Sequence, residues 1–74
     1  MSFELSILEN SILSLRMKLY SVQQTFGFSS KQACYISLIV DECIHEMRHI
    51  ADDLVYQRCE EKLDGALRKI GSPD

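Results

Sequence analysis

The sequence predicts an all-α fold: an antiparallel two-helix hairpin with a helical C-terminal extension. Three observations predict it. Two long segments repeat apolar residues at alternating steps of three and four. A glycine between two phenylalanines separates them. No segment of useful length alternates apolar and polar residues at the period of a strand.

The first segment carries a heptad seam of Leu5, Leu8, Ile12, Leu15, Leu19, Val22 and Phe26. Such a seam is the buried stripe of a coiled-coil-like helix, here over about residues 3–26. Ser2 can cap its start, and Glu4 sits near the positive end of the helix dipole. Gly27 suits the left-handed residue that closes a helix, with Phe26 and Phe28 shutting the corner. Ser29 with Gln32 three residues on reads as a capping box for the next helix. The turn is thus residues 27–29, and so short a connection makes the two helices antiparallel neighbours.

The second helix is predicted from about residue 30 to 56. Its seam is Ala33, Ile36, Val40, Cys43, Met47, Ile50 and Leu54. Tyr35, Leu38, Ile39 and Ile44 widen the stripe around the middle. Two helices alone cannot bury a stripe this wide, which points to a homodimer closing as a four-helix bundle, or to a partner's groove. Past Leu54 the phase slips: the next apolar line is Tyr56, Cys59, Leu63, Ala66 and Ile70. Either the helix bends there or its apolar face turns to meet something new. No glycine or proline forces a break, so the extension reads as helical to about residue 70. Gly65 weakens those last turns by about 1 kcal/mol relative to alanine. Gly71 and Pro73 end the helix. The chain reads as a single helical domain over residues 1–74.

Composition bounds the function. The net charge is −3 and the pI about 5.2. With no basic stripe interleaved with aromatics, nucleic acid is a poor partner. No apolar run is long enough for a membrane span. The start, MSFELSILEN, is acidic and leads to no small-residue cleavage site, so it does not read as a signal peptide and the expected location is the cytoplasm. Cys34, Cys43 and Cys59 are odd in number and lack a CxxC spacing, so they read as small buried hydrophobes.

Ser37, Asp41, His45, Arg48 and Asp52 recur at helical steps beside the second seam. A stripe of this kind is ordinarily a solvated face. Ser37 and Asp41 differ from it, because they enclose the apolar run Leu38-Ile39-Val40. Asp is also a mediocre mid-helix residue.

The run Ile12-Leu13-Ser14-Leu15-Arg16-Met17-Lys18-Leu19-Tyr20 and the run Ser37-Leu38-Ile39-Val40-Asp41-Glu42-Cys43-Ile44 together carry a resemblance. From Ile7 to about Met47 the chain resembles the small sporulation-control aspartyl-phosphate phosphatases, the stage 0 sporulation protein E-like family. Those proteins are two antiparallel helices joined by a short glycine-containing turn. Their second helix carries Ser-Gln-Glu-Leu-Asp followed by an apolar pair. The serine and aspartate are kept here, and the middle departs, with Leu-Ile-Val in place of Gln-Glu-Leu. The resemblance implies a phosphorylated response regulator as partner and hydrolysis of its aspartyl phosphate. Asp41 would be the group that positions or activates the attacking water, and Ser37 would contact the regulator. Val40 and Ile44 would dock beside them, with Arg16, Lys18 and Tyr20 from the first helix. The chain would need no cofactor of its own, since the regulator brings its divalent metal, such as Mg. The alternative is a non-enzymatic adaptor or anti-regulator that binds a partner through its apolar helix face. The greasy Leu38-Ile39-Val40 middle favours that alternative.

His45-Glu46-Met47-Arg48-His49 matches H-E-x-x-H. The seam residues Cys43, Met47 and Ile50 take the inward face, so the histidines should point outward. A catalytic zinc needs a third protein ligand and an enclosing cleft, so His45 and His49 are weak metal candidates. His-Glu-Met-Arg also has the look of a sensor-kinase phosphoacceptor box, but the proline expected just after it is missing. Tyr20, Tyr35 and Tyr56 read more simply as packing residues than as recognition residues.

Overall fold

The computed structural model describes residues 2–71, with side chains from residue 5 onward. The Ser2 cap, the Glu4 dipole contact and the Pro73 stop lie outside that description. Among the described residues the protein is all-helical, with three helices: α1 (Ser2–Phe26), α2 (Lys31–His49) and α3 (Asp53–Gly71).

Gly27 ends α1 with φ of +101°, a left-handed conformation that a side chain would strain. Its N–H donates to the Gln23 carbonyl at 2.9 Å. The cap of α2 is Ser30 rather than Ser29. The Ser30 hydroxyl oxygen accepts from the Ala33 N–H at 3.0 Å and donates to the Gly27 carbonyl at 2.7 Å. One side chain therefore ties the end of α1 to the start of α2.

The second helix stops at His49, short of the predicted 56. Ile50 leaves helical geometry at φ −128° and ψ 96°, while its N–H still donates to Glu46 at 2.8 Å. The Asp52 carboxylate then accepts from the Leu54 N–H at 2.8 Å, and α3 begins. A charged side chain serves here where a glycine or proline breaks the helix elsewhere: the Asp52 carboxylate offers the backbone a partner outside the helix. The break explains the phase slip. Ile50 and Leu54, predicted as seam residues, are exposed, and Val55 takes the inward place. Arg48 lies in the last turn of α2, and Arg68 and Lys69 in the last turn of α3, where cations suit the dipole.

The helices alternate in direction. Tyr20 and Gln23 face Val40 toward one end of a groove, and Ile12 and Leu13 face Arg48 toward its other end, so α1 and α2 run oppositely. Cys43 meets Cys59, and Glu42 meets Lys62 at 3.7 Å, so α2 and α3 also run oppositely. Lys18 of α1 reaches Asp64 of α3 at 3.3 Å.

The core gathers Ile12, Leu15 and Val22 of α1 with Ala33, Ile36, Ile39, Val40, Cys43, Ile44 and Met47 of α2. Val55, Cys59, Leu63 and Ala66 of α3 complete it. The wide stripe of α2 thus has an intramolecular explanation. Ile39 shares the flank of Glu42 and Cys43, the flank on which α3 packs, and is buried there. Leu38 and Cys34 face solvent instead, so Cys34 is not the buried hydrophobe the sequence suggested. The seam of α1 frays at its ends, with Leu5 and Phe26 exposed. No described helix is long and apolar enough to cross a membrane.

Candidate functional site

α3 covers one flank of the α1–α2 pair. The other flank is open and forms a groove. Its wider part, about 520 Å³, is lined by Arg16, Met17, Leu19, Tyr20 and Gln23 of α1 and Val40, Asp41 and Ile44 of α2. A second, smaller part continues past Arg16 to Glu9, Asn10, Ile12, Leu13 and Arg48. Arg16 lines both parts.

The chemistry of the groove follows from helical spacing. Val40 and Ile44 stand one turn apart and form its buried floor. Asp41 follows Val40 by one residue, which rotates its carboxylate out of the floor and onto the rim. There it is exposed, and among the described residues it has no hydrogen-bond or ion-pair partner. On the opposite wall, Arg16 offers a guanidinium and Tyr20 a phenol, both exposed. The wider part of the groove therefore presents one free carboxylate and one guanidinium above an apolar floor. Such a set can bind a partner's side chains or an anion, and can orient a water.

Of the residues proposed from sequence, Arg16, Tyr20, Val40, Asp41 and Ile44 come together in this groove. Ser37 lies one turn before Asp41 on the same flank, half-buried and outside the lining. Lys18 stands apart, turned to the α3 side and paired with Asp64. His45 and His49 are exposed, with ring centroids 4.7 Å apart in an edge arrangement. No group of three or more His, Cys, Asp or Glu side chains that could hold a metal occurs among the described residues. The polar stripe of α2 is divided by the fold. Asp41 and Arg48 line the groove, while Asp52 leaves the helix to cap α3.

Sequence reasoning missed Leu13, Met17 and Gln23. Leu13, Met17 and Tyr20 follow steps of four and three on α1, a second apolar line beside the main seam. They are 55%, 63% and 59% exposed, so this line borders the open groove rather than filling the core. The stronger seam beside it, whose members take the inward face, hid that signal.

No family model, no curated relative and no solved structure matches the chain.

Proposed function

We propose that this chain is a regulatory protein of the cytoplasm that docks on a phosphorylated response regulator and hastens hydrolysis of its aspartyl phosphate. The observation that carries the reading is the free Asp41 carboxylate on the rim of the α1–α2 groove, with Arg16 and Tyr20 facing it. An acyl phosphate is already labile, and the regulator brings its own divalent metal. The docked helix need only hold a water in line with phosphorus, which is a positioning task. Asp41 is the base that accepts the hydrogen bond of that water. Val40, Ile44 and Tyr20 supply apolar contact, Arg16 meets the regulator's acidic rim, and Ser37 extends the contact along α2.

The test is the phosphoryl half-life of a phosphorylated receiver domain, measured with and without the protein. The parent chain shortens it, and Asp41→Ala binds but leaves it at the basal value. Equal activity in the two chains would sink the catalytic assignment.

A second reading is favoured by the exposed Leu13, Met17 and Tyr20 strip. In it the chain is an adaptor that binds a partner helix in the groove without chemistry. It expects Met17→Lys to abolish binding and Asp41→Ala to change nothing. A homodimer built on the same strip would bring α1 and α2 of two chains into a four-helix arrangement and mask Asp41. Light scattering then sees a dimer that dissociates as the regulator is added.

A further inference from the structure

Cys43 of α2 and Cys59 of α3 face each other at the centre of the α2–α3 contact. Each sulfur lies against the other residue's backbone: Cys43 Sγ is 4.0 Å from the Cys59 carbonyl oxygen, and Cys59 Sγ is 3.8 Å from the Cys43 carbonyl oxygen. This reciprocity places both side chains in the space between the two helix backbones, close enough for the thiols to act on each other, as a disulfide requires of its two cysteines. Both thiols are buried, whereas Cys34 is exposed on another face of α2. The groove reading uses neither.

We propose that Cys43 and Cys59 form a disulfide site, closed by thiol–disulfide exchange with a low-molecular-weight disulfide, that fastens α3 onto α2. In the first step one protein thiolate attacks a sulfur of the small disulfide. A mixed disulfide forms and one small thiolate leaves. The second protein thiolate then attacks the protein sulfur of that mixed disulfide, and the other small thiolate leaves. The two protons of Cys43 and Cys59 end on the two released thiols, so the protein pair is oxidised and the small disulfide reduced.

The site is slow by construction. Burial, with the hydrogen bond to the Cys59 thiol, pushes Cys43 up to about 12. Its thiolate is therefore scarce at neutral pH, and exchange waits for α3 to lift from α2. Once formed, the link joins residues 16 apart in sequence and restrains the helix that covers Ile39. The groove between α1 and α2 is untouched, so the proposal stands or falls independently of the regulator reading.

The experiment uses the full chain carrying Cys34→Ser, which leaves only the facing pair. It is incubated with oxidised glutathione across urea concentrations below the unfolding midpoint, so that opening of α3 does not limit the reaction. The expected product is a monomer that has lost both titratable thiols and two hydrogens in mass, with a peptide joining Cys43 to Cys59. Its thermal midpoint rises by roughly 10 °C and returns on treatment with dithiothreitol. Both thiols still titrating after denaturation, stable glutathione adducts, or links between chains would each overturn the proposal.

Discussion

Ser30 binds two helices with one hydroxyl, accepting from Ala33 and donating to the Gly27 carbonyl. Replacing it with alanine removes the cap and should cost about 1 kcal/mol in urea unfolding, while Ser29→Ala, on an exposed side chain, stays within about 0.5 kcal/mol. The sequence contains both serines side by side, and the capping-box spacing selects the wrong one. Side-chain capping depends on which residue leaves helical geometry first, and neighbouring serines are chemically alike. Asp41 is the opposite case. Its rim position was legible, because one residue beyond a seam position is a fixed rotation of about 100°. Cys43 gives a residue-scale prediction in pH. Its thiol is raised from 9.0 to about 12 in the fold. Above pH 9 the unfolded chain releases a proton that the folded chain keeps, so the stability this thiol contributes is full below pH 9 and is lost as pH rises toward 12. Comparing Cys43→Ala with the parent across the alkaline limb of a urea-midpoint profile isolates the effect: the parent declines more steeply.

The elements divide into those that periodicity could read and the one junction it could not. The middle of the α1 seam and the α2 seam as far as Met47 fall where their spacing puts them, and Ile12, Leu15, Ile36, Val40, Cys43 and Met47 are buried. The phase slip after Leu54 was visible, but a slip is compatible with a bend as well as with a break. What decided for a break was Asp52, a residue that a helical stripe and a helix cap both accommodate. The two sides of the junction should respond differently to truncation. Leu63, fully buried against α2, should lose about 2–5 kcal/mol on replacement by alanine, whereas Leu54→Ala, 66% exposed, should change the urea midpoint little. Equal losses at the two positions would mean that α2 runs on through residue 54 in solution. The groove was only half legible. Its α2 wall was found through Asp41, but Leu13 and Met17 went unnoticed, because an exposed apolar residue next to a seam looks like the seam's own margin.

The whole molecule is an elongated bundle, 44 × 19 × 14 Å, in which α2 is the shared neighbour of two outer helices. A third helix arriving on one side is what leaves the other side open, so the position of α3 and the openness of the groove are one property. The excess apolar stripe was legible but its owner was not, since periodicity counts buried positions without saying which segment buries them. The core that results has a feature of its own: among the described residues no buried side chain is polar or charged. Greasy helix faces fix register weakly, and the internal polar contacts across the α2–α3 core are the two long thiol–carbonyl contacts of Cys43 and Cys59. What adds to the alignment is the brevity of the two connectors, residues 27–30 and 50–52, which act as mechanical stops. Shortening the second one therefore changes assembly rather than folding. With residue 51 deleted, the connector cannot turn α3 back onto its own chain, α3 covers Ile39 of another, and an exchanged dimer appears in light scattering while the helical content measured by circular dichroism stays the same.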